Sequence, residues 1–352
     1  MKLEEAIANV KPVCRKAAEE SRRRWDSIAK PLNGLGVLEE DIVRIAAAQR
    51  TADVALKPRA IAVMCGDNGI VEEGVTQTGQ DVTSIVAGHM GTGQSCVCLM
   101  ASCADAHVIP VDVGMAGEGE LPGVISRRVA NGTKNFLKEP AMTREQTVAA
   151  LETGIWTAEL LKDKGVGLAG SGEMGIGNTT TSSAVISVLL DLPPERVTGR
   201  GAGLDTPGFQ RKIHVIKEGI RLRRPDPRDP IDVLSKVGGF DLAGLAGFYI
   251  GCAALEIPVV LDGLICCSAA LAAVGLAPDV KDYLLASHAP AEPGGNPALE
   301  ALGLKPAISA GLCLGEGTGA AALFPLLDMA CKVYRTMSSF EEMKVEQYQH
   351  LK

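Results

Sequence analysis

One carboxylate stands between glycines in the segment Leu314-Gly315-Glu316-Gly317-Thr318-Gly319, just before a run of alanines. Because glycine has no side chain, another molecule can approach this backbone closely. A carboxylate among small apolar neighbours can have a raised pKa and accept a proton near neutral pH. Glu316 is therefore a candidate general base. The alternative is a first-turn glutamate that only complements the dipole of the following helix, which is worth a few tenths to about 1 kcal/mol.

A second glycine-rich segment, Gly170-Ser171-Gly172-Glu173-Met174-Gly175, follows a predicted strand and matches the pattern GxGxxG. A dinucleotide-binding fold would need the next helix to lead into another strand that ends in an acidic residue. The residues after Asp191, Leu192-Pro193-Pro194, predict a turn instead. This departure disfavours a nicotinamide cofactor, although an oxidoreductase remains an alternative at this stage.

The same segment is close to a triphosphate-binding loop, because Gly172 and Gly177 have the required spacing. Asn178-Thr179 stands where such a loop has Lys-Ser/Thr, and that lysine binds the β- and γ-phosphates. A single phosphate needs only backbone N–H groups at a helix N-terminus, helped here by threonine hydroxyls. The alternative is a glycine turn that packs a strand against a helix.

Three more polar residues follow predicted strands and are candidate site residues without an assigned role. Asp262 follows the strand predicted over 258–261, and Ser287 and His288 follow the strand predicted over 283–286. For His288 the alternative is a loop histidine that bonds to the backbone.

Strands and helices alternate along most of the chain. Apolar runs predict strands over 60–65, 107–111, 166–169, 258–261 and 283–286, and helices over 38–52, 82–101, 143–162, 178–190 and 317–336, with Asn178 as a helix cap. This alternation predicts an α/β fold with a parallel sheet covered on both faces. The carboxyl ends of parallel strands meet at one edge, where ligands bind at the switch in strand order. The helical termini are expected to form a small subdomain.

Composition excludes several classes of protein. Of 352 residues, 46% are hydrophobic and 22% charged, which is enough to build a sizeable core. A net charge of −7, with one short basic run at 22–24, argues against a nucleic-acid partner. No apolar stretch reaches the roughly 18 residues of a membrane span, and no signal segment is evident. The ten cysteines contain no CxxC pair, so a reduced, cytoplasmic protein without a metal site or membrane contact is expected.

Nine segments together resemble one enzyme family, and they occur in that family's order between about residues 30 and 335. They are Gly66-Asp67-Asn68-Gly69-Ile70, Glu73-Gly74-Val75, Asp81-Val82-Thr83, Val111-Asp112-Val113-Gly114, Gly172 to Thr180, Gly201-Ala202-Gly203-Leu204-Asp205, Leu261-Asp262-Gly263 with Ser287-His288, and Leu314 to Gly319. The family is the nicotinate mononucleotide:dimethylbenzimidazole phosphoribosyltransferases, which assemble the lower ligand of cobalamin.

The resemblance implies a Rossmann-like parallel sheet flanked by helices, in a catalytic domain over 30–335, with a helical subdomain from 1–29 and 336–352. It implies a cofactor-independent transferase that moves phosphoribose from nicotinate mononucleotide to an aromatic base and inverts the anomeric centre. It also implies a homodimer, with a heterodimer of unlike subunits as the alternative.

Roles for particular residues follow from the same resemblance. Glu316 is expected to be the general base. The residues expected to bind the nucleotide and its phosphate are Gly175, Ile176, Gly177, Asn178, Thr179, Lys212, Gly315 and Gly317. Those expected to form the base pocket are Gln77, Thr78, Gln80, Thr83, Ile85 and Glu173.

The chain departs from the family's pattern at two places. At 76–80 many relatives have an aromatic residue and a proline, and at the position of Ile85 some relatives have a polar residue. This stretch is expected to wall the base pocket. The accepted base is therefore left open between dimethylbenzimidazole, another benzimidazole, adenine and a phenol. A non-catalytic paralogue that stabilises an active partner is a further alternative.

Overall fold

Six strands form one parallel sheet in the computed structural model, which describes residues 1–350. They are β1 (Arg59–Gly66), β2 (His107–Gly114), β3 (Ile125–Ser126), β4 (Leu168–Met174), β5 (Val259–Leu261) and β6 (Leu284–Ala286). Their order is β3-β2-β1-β4-β5-β6, and every neighbouring pair is parallel. The predicted α/β fold is confirmed. The strand order reverses between β1 and β4, so the ligand-binding edge is expected there.

Both faces of the central strand are buried, as an apolar run between two helical layers predicts. Along β1, Ala60, Ala62 and Met64 pack into one hydrophobic cluster, whereas Ile61 and Val63 pack into the other. All five predicted strands are present, and the two-residue β3 was not predicted.

Fifteen α-helices lie within residues 1–350. They are α1 (Leu3–Asn9), α2 (Arg15–Ser27), α3 (Val37–Gln49), α4 (Asp81–Gly91), α5 (Cys96–Cys103), α6 (Arg144–Asp163), α7 (Asn178–Leu189), α8 (Pro194–Val197), α9 (Thr206–Arg223), α10 (Pro230–Val237), α11 (Phe240–Ala254), α12 (Leu264–Leu276), α13 (Gly295–Leu302), α14 (Thr318–Thr336) and α15 (Phe340–Met343). None of those described is both long and apolar enough to cross a lipid bilayer.

Several predicted boundaries were wrong, including the end of β2, which is Gly114 and not residue 111. The structure explains three others. The helix predicted over 82–101 is two helices, because the chain turns after Gly91 and α5 restarts at Ser95, whose hydroxyl accepts the Cys98 N–H at 3.4 Å. Asn178 is not a cap but the first residue of α7, since Gly177 at φ 93° occupies the cap position. Strand β4 runs on to Met174 instead of ending at Ala169, because the segment from 170 to 174 pairs with β1.

Helices α6 and α11 pack closely because glycines lie at their crossing. A Cβ atom at Gly154 of α6 would overlap the Gly244 carbonyl oxygen and the Phe248 nitrogen of α11. Gly247 of α11 lies equally close to the Leu151 carbonyl of α6. The two helices therefore touch through their backbones on one face of the sheet.

The end of α2 lies beside the C-terminal part of the described chain. Ile28 pairs with Ser339 in an antiparallel bridge, and the rings of Trp25 and Tyr334 lie 5.1 Å apart. Helix α1 packs instead against α6, where the Met1 amino group pairs with Glu159. The subdomain from 1–29 and 336–352 stays a prediction. Residues 351–352 of its second piece lie outside the described residues.

Candidate active site

The main pocket lies at the carboxyl ends of β1, β4, β5 and β6. Its lining comes from 75–78 after β1, 173–179 between β4 and α7, 200–204 before α9, 263–266 after β5, 288–292 after β6, and 312–316 before α14. The predicted site residues in this lining are Gln77, Thr78, Glu173, Gly175, Ile176, Gly177, Asn178, Thr179, His288, Gly315 and Glu316. The structure thus brings both glycine segments and residues 76–78 of the altered stretch to one cavity.

Of the other predicted residues, two support the lining from behind. The buried Thr83 hydroxyl accepts the Ile176 N–H at 3.1 Å, and the Gln80 side chain donates to the Asn68 carbonyl at 3.0 Å. Ile85 does not line the pocket. Its side chain is 54% exposed on α4, and the neighbouring Val86 is in the lining instead.

Glu316 lies before α14, not in its first turn. Gly315, Glu316 and Gly317 have φ angles of 88°, 63° and 95°, so three successive residues are left-handed. A non-glycine residue in that region is strained and persists only where the surroundings hold it. Its Oε2 accepts the Val97 N–H at 3.3 Å, and partial burial raises the pKa of the carboxyl. Because Val97 lies in the first turn of α5, the helix-dipole alternative now concerns α5 as well as α14, and the Glu316→Gln assay described below decides it.

Asn178 joins two buried carboxyl groups beneath the pocket. Its Nδ2 donates to Glu173 Oε2 and, at 3.1 Å, to Asp241 Oδ2. Burial raises the pKa of Glu173 to about 8 and that of Asp241 to about 7. Asp241 was missed from the sequence because it lies near the start of an apolar helix, where no strand end or glycine motif marks it.

Lys212 lies directly behind the glycine loop. It is fully buried, and its Nζ donates to Thr179 Oγ1 at 2.8 Å. Burial lowers the pKa of this ammonium group to about 8, and the nearby Glu292 offsets part of that effect. The lysine and the N-terminus of α7 thus place positive charge at the same end of the pocket.

Arg200 was also missed, although it lines the pocket. Its guanidinium stacks over the Phe209 ring at 5.0 Å and donates to the Leu204 carbonyl at 2.9 Å. No sequence motif links Arg200 to the glycine loop. The two lie close together only because α7 and α8 fold the chain between them back to the pocket.

The three candidates after β5 and β6 form one buried group. Asp262 accepts the N–H groups of Gly317 and Gly319, each at 2.8 Å. Ser287 Oγ lies 2.9 Å from His288 Nδ1, and that nitrogen is 3.9 Å from Asp262 Oδ1. Of the three, only His288 is in the pocket lining.

Comparison with known proteins identifies the family. The model of the phosphoribosyltransferase family DBI_PRT matches residues 10–345. The chain belongs to this family. It is 47% identical over 328 residues to the nicotinate-nucleotide–dimethylbenzimidazole phosphoribosyltransferase of Acetivibrio thermocellus, covering 93% of each chain. The enzyme of the same name from Ruminiclostridium cellulolyticum is 44% identical over 351 residues, covering 100% of each chain.

A solved structure agrees with this assignment. The crystal structure of CobT from Thermus thermophilus matches with a TM-score of 0.89 and 38% identity, covering 95% of this chain and 100% of that one. The resemblance drawn from the sequence motifs to this phosphoribosyltransferase family is therefore confirmed.

The dinucleotide alternative is not favoured for a member of this phosphoribosyltransferase family. The residues of the GxGxxG match from Gly170 to Glu173 lie inside β4 and make no phosphate-binding turn. The residues after Asp191 form the short helix α8, not a second strand. Both requirements of a dinucleotide site are thus missing between residues 168 and 197.

Proposed function

We propose that the chain transfers phosphoribose from nicotinate mononucleotide to an aromatic lower-ligand base, giving an α-ribotide and nicotinate. Family membership supports this reaction. One observation carries the assignment of roles. Glu316 lines the pocket within one glycine segment, whereas the buried Lys212 lies behind the other and bonds Thr179 of the lining. A charged phosphate and an uncharged base need such different surroundings.

The departure of nicotinate requires little acid catalysis from the protein. Nicotinate in the mononucleotide is a pyridinium, so the C1′–N bond breaks with its electron pair moving to the ring nitrogen. The incoming base forms the new C1′–N bond through one nitrogen and loses a proton from its other nitrogen. We assign that proton to Glu316, whose raised pKa makes its carboxylate a better acceptor near neutral pH.

Phosphate binding is assigned to the opposite glycine segment. The positive end of the α7 dipole, the hydroxyl of Thr179 and the ammonium of Lys212 provide positive charge and side-chain donors there. The segment 76–78 is assigned to the base, because Gln77 and Thr78 line the pocket where the chain departs from its relatives. Which base is preferred is left to experiment.

The replacement Glu316→Gln tests the general-base role. It keeps size and hydrogen bonding but removes basicity, so kcat with a benzimidazole should fall about 10²- to 10⁴-fold. An N-methylated benzimidazole has no proton to lose, so its slower reaction should be reduced far less. Initial rates of α-ribotide formation, resolved by chromatography, give both values.

Glu300→Gln is the matched control, because Glu300 is exposed on α13 and outside the pocket lining. Equal losses for both bases in Glu316→Gln would show that the carboxylate stabilises charge and does not take a proton. No loss in either would remove Glu316 from the chemistry.

The same assay decides between the remaining alternatives. Incubation of the chain alone with nicotinate mononucleotide and a panel of benzimidazoles, adenine and phenols should yield α-ribotides. Binding without turnover would instead indicate a non-catalytic paralogue that needs an active partner. A homodimer is proposed on the family resemblance alone, and sedimentation with and without a co-expressed paralogue distinguishes it from a heterodimer. The cytoplasmic location also stays a prediction.

A further inference from the structure

Helix α14 has no capping side chain of its own. The residues before it are Gly315, Glu316 and Gly317, and no side chain within the turn accepts its first N–H groups. Unbonded N–H groups at a buried helix N-terminus destabilise the helix. An acceptor must therefore come from elsewhere in the fold.

Asp262 supplies that acceptor from 55 residues earlier in the chain. Its Oδ2 accepts the Gly317 N–H and its Oδ1 accepts the Gly319 N–H, both at 2.8 Å. The residue is 2% exposed and follows the last residue of β5, so a strand end fixes it in place. Hydrogen bonds from N–H groups to a carboxylate are shorter and stronger than those between neutral groups.

The lack of a side chain at Gly319 makes this contact possible. A Cβ atom there would lie 2.6 Å from Asp262 Oδ1 and 2.5 Å from Ser287 Oγ, and would also overlap His288 Nδ1. Three polar side chains thus converge on the first turn of α14, immediately after the strained residue Glu316. The strain at Glu316 needs such an external restraint, because its own hydrogen bond from Val97 is long at 3.3 Å.

The geometry points to Asp262 as the positioning residue for Glu316, which it holds through the two N–H groups of Gly317 and Gly319. Asp262 itself does not line the pocket, so it acts on the backbone that carries the general base and not on substrate. This inference rests on the proposed function, in which Glu316 takes the proton.

The replacement Asp262→Asn tests this role. The carboxamide of asparagine has only one acceptor oxygen. One of the N–H groups of Gly317 and Gly319 therefore loses its acceptor and faces the NH₂ group of the asparagine side chain. A displacement of the Glu316 carboxylate by about 1 Å can lower the rate about 10²-fold, so kcat with a benzimidazole should fall about that much. The KM for nicotinate mononucleotide should change by less than about threefold, because its binding contacts are intact.

A double-mutant cycle separates positioning from general disruption. If Asp262 acts through Glu316, then Asp262→Asn in the Glu316→Gln background should lower kcat by less than about threefold, because the group it positions is already disabled. Losses that simply multiply would overturn the inference. An equal effect of Asp262→Asn on the benzimidazole and its N-methylated form would overturn it as well.

Asp229→Asn is the matched control. Asp229 caps α10 by accepting the N–H groups of Ile231 and Asp232 at 3.1 and 3.2 Å, away from the pocket lining. It should lower thermal stability without changing kcat. Should Asp262→Asn fail to fold, Gly319→Ala displaces the same contact and should show the same dependence on Glu316.

Hydrogen exchange tests the contact without reference to catalysis. Amide exchange across 315–321 should accelerate in Asp262→Asn and stay unchanged in Asp229→Asn. Unchanged protection would overturn the inference whatever the reaction. If the unaltered chain forms no α-ribotide with any base, the proposed function is contradicted. The amide exchange across 315–321 would still decide whether Asp262 restrains the start of α14.

Discussion

Replacement of Lys212 by methionine should weaken nucleotide binding while stabilising the unliganded protein. The side chain is fully buried and its ammonium has one hydrogen bond, to Thr179 Oγ1. A buried charge with so few partners costs free energy in the folded state. Methionine fills a similar volume without that cost.

The pKa gives the size and the pH dependence of the effect. A decrease from the ordinary 10.5 to about 8 corresponds to roughly 3 kcal/mol. Below pH 8 the amine is charged in both the folded and unfolded states, so the full cost applies. Above pH 8 the folded state releases its proton first, and the cost disappears near pH 10.5. Lys212→Met should therefore raise the free energy of unfolding at pH 7, with no gain at pH 10.5.

Binding should change in the opposite direction. A charged hydrogen bond of about 1.5–3 kcal/mol corresponds to a 10- to 150-fold rise in Kd or KM for nicotinate mononucleotide. The phosphate should also restore the proton on Lys212, so that binding near pH 8.5 takes up a proton in the unaltered protein but not in Lys212→Met. Isothermal titration in two buffers of different ionisation enthalpy measures this uptake, and chemical denaturation measures stability.

Lys217→Met is the control, since Lys217 lies on the same helix α9 but is exposed and paired with Glu195. It should leave affinity, proton uptake and stability unchanged. An unaltered affinity in a folded Lys212→Met protein would refute the phosphate role. A loss of stability at pH 7 would refute the argument from buried charge.

Three further predictions concern the pocket and the fold. Thr78→Phe should change the ranking of accepted bases in the α-ribotide assay more than it changes the KM for the nucleotide. Ile85→Gln should change neither the ranking nor the KM, because the Ile85 side chain is exposed to solvent. Glu173, with its pKa raised from 4.5 to about 8, binds a proton more tightly when folded, so its contribution to stability should fall as pH rises from about 5 to 8. Denaturation of Glu173→Gln across that range should lack this decline. Gly154→Ala should destabilise by about 1–3 kcal/mol or more through overlap with α11, whereas Gly88→Ala in open space on α4 should stabilise by about 0.5–1 kcal/mol in thermal denaturation.

Features that depend on a few neighbouring residues could be predicted from the sequence. Thr143 opens α6 as expected, with Gln146 completing a reciprocal capping box. The apolar runs located five strands, because side chains buried on both faces of a sheet leave an uninterrupted apolar pattern. The glycine segments were found because their spacing is itself local.

Features set by distant contacts could not be predicted. Asn178 has the composition of a helix cap, yet its amide bonds Glu173 and Asp241, which only the folded sheet brings together. The extension of β4 to Met174 depends on pairing with β1, not on the intrinsic preference of its glycines. Ile85 was assigned to the base pocket from the family resemblance, but its side chain is exposed on α4 and the neighbouring Val86 lines the pocket instead.

The two ends of the pocket are formed by segments that differ in how well they tolerate amino-acid substitutions. The proposed phosphate end is buried, and its glycines leave no space for side chains. A Cβ atom at Gly175 would overlap the Gly66 carbonyl oxygen, and one at Gly177 would overlap the side chain of Val71. The stretch 77–79 is exposed, and Gln77 attaches it to the Gly203 carbonyl. Exposed substitutions usually alter stability by less than about 0.5 kcal/mol. If 77–79 walls the base pocket as proposed, base preference can change during evolution through substitutions there that leave stability almost unaltered, while the nucleotide donor stays the same.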